Sequence, residues 1–150
     1  MGPTLGPIVL GVLAAAISVI AVHEGLVYAL AEAGLTAHAA WGMQPIPPWG
    51  VPRLFNNVFW GGLWGALFAL VYDWLPGHKG WVKGLIYGLF IVVGGSWTLV
   101  PLIKGRLFGQ SGQLLFGGLN PWRMLASVII VGGFGLALGA IYDLLRRRPA

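Results

Sequence analysis

The chain has 150 residues, of which 57% are hydrophobic and 9% are charged. A soluble domain carries about 25% charged residues, so this composition excludes an ordinary soluble protein and indicates an integral membrane protein. The chain has no cysteine, which excludes disulfides, thiolate nucleophiles and cysteine-ligated metal centres. The net charge of +5 comes from positive residues at predicted helix ends, where they suit the headgroups of a lipid bilayer and not a nucleic acid.

Four long apolar stretches predict four transmembrane helices, because each has the length and hydropathy needed to cross a bilayer. The first helix is expected to stay as an anchor, since the chain start lacks the basic region of a cleaved signal peptide. The predicted fold is an all-α, polytopic four-transmembrane-helix bundle that forms a single transmembrane domain. The helices are expected at about residues 6–33, 53–75, 81–103 and 122–145 of the 1–150 chain.

The first helix carries two polar residues well inside its apolar sequence, His23 and Glu24. A charged group near the centre of a membrane helix costs about 3 kcal/mol on insertion scales, so such residues face protein or water and have partners. Glu24, Tyr28 and Glu32 recur every four residues and share one helix face, whereas His23 lies about 100° around the helix. These four residues form the predicted intramembrane polar site. Two interpretations stay open: structural hydrogen bonding by Glu24, or a functional site.

Two long connections separate the predicted helices, at residues 35–52 and 104–121. The first cannot form a regular helix, because proline lacks an N–H and fixes φ. It is interpreted as a rigid loop or, alternatively, as a lid over a site between helices. The second fits an interfacial or partly re-entrant loop. The prolines of the first connection are Pro45, Pro47, Pro48 and Pro52.

Helices two and four resemble each other at an offset of 70 residues, at which Gly65 matches Gly135 and Ala69 matches Gly139. This correspondence predicts a duplicated helical hairpin with helices two and four in the same direction; convergence on common packing residues is the alternative. The short turn after helix two predicts that helices two and three are antiparallel neighbours. The predicted helix-packing residues, with small side chains at four-residue spacing, are Gly61, Gly65, Ala69, Gly135 and Gly139.

Helices two and four end near Asp73 and Asp143, where the helix dipole disfavours negative charge. We expect structural ion pairs at these ends, with a cytoplasm-facing site as the alternative. The compact run of arginines at positions 146–148 favours a cytoplasmic location for both termini. The basic residues near the two aspartates are Lys79, Lys83, Arg146 and Arg147.

Four short runs in the first half of the chain resemble small four-helix inner-membrane proteins of bacteria whose activity is uncharacterised. The runs are PPWGVP at positions 47–52, FWGGLWG at 59–65, HEG at 23–25 and GLT at 34–36. The resemblance implies a location in the bacterial inner membrane. It implies no activity and no catalytic residues.

The predicted function is that of a non-enzymatic accessory or structural subunit, which acts by helix association in a homo-oligomer or a larger membrane complex. The alternative is a small proton- or cation-coupled transporter or channel that uses Glu24 and His23. No cofactor or metal is predicted, although haem or pigment binding with His23 as one axial ligand is a further possibility. A membrane enzyme is disfavoured, because the sequence has no Ser-His-Asp arrangement and no paired-histidine metal motif.

Overall fold

The computed structural model describes residues 4–147, which contain four helices long and apolar enough to cross a membrane. The predicted all-α, four-helix membrane fold is thereby confirmed. The third helix ends later than the sequence suggests, because a π-helical turn carries it beyond Ile103. The helices are α1 (Leu5–Glu32), α2 (Arg53–Trp74), α3 (Gly80–Leu107) and α4 (Pro121–Arg147).

Both long connections lie at the same end of the bundle and contact each other. The first connection, residues 33–52, contains the two-residue strands β1 (Pro45–Ile46) and β2 (Val51–Pro52), which pair antiparallel. The second connection, residues 108–120, contains a short turn at Leu115–Leu119. The Gln110 side chain in the second connection donates a hydrogen bond of 2.8 Å to the backbone oxygen of Pro47 in the first. This hydrogen bond joins the two connections.

Each half of the chain forms a helical hairpin with a close backbone contact. A Cβ added to Gly65 of α2 would collide with the carbonyl oxygen of Gly11 in α1. In the second hairpin, a Cβ added to Gly135 of α4 would collide with the carbonyl oxygen of Gly84 in α3. Gly65 and Gly135 therefore have the same role in the two hairpins, in agreement with the predicted duplication.

Two π-helical segments, Val19–His23 in α1 and Val92–Leu99 in α3, begin at corresponding places in the two hairpins. Their first residues are 73 positions apart, as are the contact residues Gly11 and Gly84. The repeat therefore has an offset of 73 in its first helix and 70 in its second. This difference explains why α1 and α3 match poorly when the chain is compared with itself at 70 residues.

Helices α2 and α3 contact each other through large side chains, whereas the closest backbone contacts lie within the two hairpins and between α1 and α4. The Tyr87 hydroxyl of α3 donates a hydrogen bond of 2.8 Å to the backbone oxygen of Trp64 in α2. The Tyr87 ring also packs against Phe68, with the ring centres 5.0 Å apart. Four buried rings pack together between the helices toward the α2–α3 turn, and we call them the aromatic layer: Phe68, Tyr72, Tyr87 and Tyr142.

The backbone contact within the second hairpin predicts a large cost for any side chain at Gly84. An added Cβ meets backbone atoms of Gly135 and Gly139, which cannot move unless α3 and α4 separate. We expect Gly84→Val to lower the free energy of unfolding by about 1–3 kcal/mol, measured by SDS or thermal unfolding in detergent with circular dichroism. Gly94→Val is the matched control, because the nearest atom to its added Cβ is a Phe90 ring carbon at 3.9 Å. Equal free energies of unfolding for Gly84→Val and Gly94→Val would contradict the close backbone contact in the second hairpin.

Candidate functional site: a cationic cavity between the helices

A polar cavity of about 840 Å³ opens at the end of the bundle that carries the two connections. All four helices contribute to its walls, together with residues 34–39 of the first connection. Several titratable or hydrogen-bonding side chains line the cavity. They are His23, Glu24, Thr36, His38, Arg53, Asn57, Lys104, Arg123 and Ser127.

The cavity is strongly cationic. Arg53, Lys104 and Arg123 line it from three different helices, while Glu24 is the one acidic residue in the lining. The salt bridges formed within residues 4–147 involve none of these three basic residues. The Arg53 Nε atom is buried and has no hydrogen-bond partner among the described residues. Cations grouped in a cleft with low-dielectric walls produce a positive potential that concentrates anions.

Glu24 is held by a network of hydrogen-bonding groups from three segments of the chain. Its side chain is only 2% exposed, so its oxygens need partners inside the protein. The Trp41 backbone N–H donates to Oε2 at 2.7 Å, and the Asn57 amide donates to Oε1 at 2.9 Å. The His23 Nδ1 atom lies 3.0 Å from Oε1. Glu24 thus joins α1, α2 and the first connection.

The first connection folds over Glu24 through Trp41. The Trp41 indole N–H donates a hydrogen bond of 2.8 Å to the backbone oxygen of Ile20, which lies in the π-helical segment of α1. Trp41 has a φ of +50°, which is uncommon for a residue with a large side chain. Two hydrogen bonds from one residue therefore fix this connection to α1 next to the buried carboxyl group.

The structure brings together His23 and Glu24 but not Tyr28 and Glu32. Tyr28 is 54% exposed, Glu32 is exposed, and neither lines the cavity. A four-residue step on an α-helix advances by about 40° beyond a full turn. After two such steps, the side chain at Glu32 points away from the buried face that contains Glu24 and toward the outside of the bundle.

The small residues singled out for helix packing lie at contacts inside this chain. Gly61 and Gly65 face α1, and Ala69 contacts the same helix near Gly11. Gly135 and Gly139 face α3. These surfaces are occupied by neighbouring helices of the same chain and are not free for a partner.

The aspartates at the opposite end of the bundle both have arginine partners. Asp73 pairs with Arg146 across two helices at 3.3 Å, and Asp143 pairs with Arg147 of its own helix at 2.9 Å. Arg146 thus pairs with Asp73 of α2 and not with Asp143, which is nearer to it in the sequence. Arg148 lies outside the described residues.

Lys83, which the sequence places near Asp73, contacts Tyr72 at this end of the bundle. Its amine donates a hydrogen bond of 2.8 Å to the backbone oxygen of Tyr72 and lies 4.5 Å from the centre of the Tyr72 ring. The Tyr72 hydroxyl in turn donates to Asp143 at 3.1 Å. These contacts hold the two hairpins together through Tyr72, which is part of the aromatic layer.

His38 marks the rim of the cavity and should remain neutral at pH 7. Arg53 Nη1 lies 3.1 Å from His38 Nδ1, and a guanidinium can only donate, so the neutral imidazole accepts. Partial burial of the ring and the positive charges of Arg53 and Lys104 lower the pKa of His38 from an ordinary value of about 6.5. Because a positive neighbour disfavours the imidazolium, Arg53→Gln should raise this pKa. NMR titration of His38 in micelles checks this; an unchanged or lower pKa in the variant would contradict the contact.

Sequence reasoning missed most of the residues that define the cavity. Arg53, Lys104 and Arg123 belong to the positive residues at predicted helix ends, and that pattern does not distinguish them or Asn57 as parts of one site. One signal was available: all basic residues on that side flank the two long connections, where Glu32 is the one acidic residue. Their convergence on one cavity depends on contacts between distant helices.

The fold and the cavity define a multi-pass integral membrane protein with a polar, cation-lined space between its helices. The chain is similar to the fluoride-specific ion channel FluC of Salinibacter ruber (strain DSM 13855 / M31), with 29% identity over 119 residues that cover 78% of this chain and 79% of that protein. No family model and no solved structure matches the chain. Similarity to an ion channel favours the transporter or channel alternative over a purely structural subunit.

Proposed function

We propose that this protein is an ion channel for small anions, with the cationic cavity as the entrance to its conduction path. The observation that carries the proposal is the set of three basic residues, Arg53, Lys104 and Arg123, which line one cavity without a carboxylate partner among the described residues. Similarity to a fluoride-specific channel supports this reading and makes fluoride the first ion to test.

The charge balance of the cavity favours anions over the protons or cations that the sequence suggests. Glu24 is the residue that a cation would need, but its two oxygens already accept from Trp41 and Asn57 and contact His23. A cation in the cavity would also be repelled by the three positive charges that line it. An anion is attracted by the same charges.

A conduction path through a single copy of the chain would be blocked by the aromatic layer. Its buried rings lie between the cavity and the opposite end of the bundle, with centres of neighbouring rings such as Phe68 and Tyr142 only 5.5 Å apart. Conduction therefore requires these side chains to move, or a pore completed by a second copy of the chain. We infer a homo-oligomer in the bacterial inner membrane, with both termini cytoplasmic because Lys83, Arg146 and Arg147 lie at that end.

Fluoride efflux from liposomes tests the proposal. Purified protein is reconstituted into vesicles loaded with potassium fluoride, valinomycin is added to carry potassium, and external fluoride is followed with a selective electrode. We expect efflux well above that from protein-free vesicles. Vesicles loaded with potassium chloride and followed with a chloride electrode test chloride as a second anion. Rates equal to protein-free vesicles for both anions would contradict the proposed function.

A further inference from the structure

A second, smaller pocket of about 130 Å³ adjoins the cavity deeper in the bundle. Its far walls include Ile91 and Phe134, which lie well inside α3 and α4. The two spaces share lining residues from all four helices, so the pocket lies directly against the cavity. The residues that line both are His23, Asn57, Lys104 and Val131.

Three polar side chains of the pocket have free hydrogen-bonding capacity. The Asn56 amide, the Ser96 hydroxyl and the Lys104 amine line the pocket, and they make no side-chain hydrogen bond within residues 4–147. Their neighbours differ: the Asn57 amide is bound to Glu24, and the Thr98 hydroxyl donates to a backbone oxygen of its own helix at 2.7 Å. The three side chains are partly exposed, so water can reach them, and each can exchange that water for a ligand.

The π-helical segments shape this pocket. Val19 and His23 bound the segment of α1, and Ser96 lies in the middle of the segment of α3. A π-turn contains an extra residue and alters where side chains point, and such turns occur often at functional sites. Both hairpins thus use their irregular segment to line the same space.

We propose that this pocket is a binding site for one small anion, coordinated by the Lys104 amine, the Asn56 amide and the Ser96 hydroxyl. The proposal rests on the proposed function, since the anion arrives through the cationic cavity. All three groups can donate hydrogen bonds, and the positive charge of Lys104 offsets the cost of removing an anion from water.

The arrangement of donors in the pocket favours a small ion over a large oxyanion. The apolar side chains Ile91 and Phe134 form part of the wall and offer no hydrogen-bond donors. Three donors can surround one small ion more completely than the four oxygens of phosphate or sulfate. The pocket therefore suits an ion that keeps part of its water and exchanges the rest for protein donors.

Removal of the donors tests the site in fluoride efflux assays. Ser96→Ala and Asn56→Leu are each expected to reduce the efflux rate about tenfold, the equivalent of one lost charge-assisted contact. Ser96→Thr, which keeps a hydroxyl, should retain at least half of the wild-type rate. Thr98→Ala is the matched control on the same π-helical segment, because its hydroxyl serves its own helix, and it should transport at the wild-type rate.

Direct binding separates failure of the pocket from failure of channel activity. Isothermal titration of the detergent-purified protein with potassium fluoride should show a site that Ser96→Ala and Asn56→Leu weaken about tenfold, with unfolding midpoints unchanged in both variants. If both variants kept the wild-type efflux rate, the proposed binding site would be wrong while the channel proposal would stand. If wild type lacks efflux but binds fluoride through these side chains, the channel proposal fails and the site stands. Absence of fluoride binding to the wild type would overturn the site.

Discussion

The double substitution Arg53→Gln with Lys104→Gln is expected to reduce fluoride efflux by at least about 100-fold. A unit charge about 6 Å from an anion contributes about 3 kcal/mol at an effective dielectric constant of 20, which corresponds to about two orders of magnitude in local concentration. Both side chains line the cavity, and Lys104 also lines the deeper pocket. The measurement is the initial efflux rate from liposomes with equal amounts of reconstituted protein.

Arg106→Gln is the control for this experiment. Arg106 lies in the same π-helical turn as Lys104, but it is exposed and does not line the cavity. Its substitution removes one charge from the same end of the protein and should leave the efflux rate within about twofold of wild type, since exposed charges are screened by salt. Equal rates for the double variant and Arg106→Gln would show that the cavity charges do not handle the ion.

Glu24→Leu should be the most destabilising single substitution at the site. Leucine leaves the Asn57 amide and the Trp41 backbone N–H without the acceptor that each now has at under 3 Å. A buried donor without a partner costs about 1–3 kcal/mol, so we expect unfolding to become easier by at least about 2 kcal/mol. Glu24→Gln should have an intermediate effect, because its carbonyl can still accept from one of the two donors. SDS titration followed by circular dichroism measures these differences.

Glu32→Leu provides the matched comparison on the same helix. Glu32 is exposed and makes no salt bridge or side-chain hydrogen bond within the described residues, so its loss should change the free energy of unfolding by no more than about 0.5 kcal/mol. If Glu24→Leu proved as stable as Glu32→Leu, the network around the buried carboxyl group would have no structural importance.

The four helices were predictable because hydropathy over about 20 residues is a local property of the sequence. The cavity was not, because its basic residues come from positions as distant as Arg53 and Arg123 and only the packing of helices brings them together. The hydrogen bond between Trp41 and Glu24 was equally unpredictable from the sequence. It depends on an irregular loop with a positive φ, for which the sequence gives no periodic pattern.

The repeat was predictable in only one of its two helices. Gly65 and Gly135 match at 70 residues and occupy equivalent contacts in the structure. The first helices of the hairpins match at 73 residues, through Gly11 and Gly84, so a comparison at a single offset cannot detect both. The same sequence comparison also gives no indication of the π-helical segments.

The sign of the reversal potential in a planar bilayer tests the central claim most directly. Purified protein is incorporated between two potassium fluoride solutions that differ tenfold in concentration, so that fluoride and potassium have Nernst potentials of opposite sign. The cationic cavity predicts a reversal potential close to that of fluoride, shifted toward zero by Arg53→Gln with Lys104→Gln. A wild-type reversal potential close to that of potassium, or to that of protons under a pH gradient, would contradict an anion channel and support a cation path through Glu24.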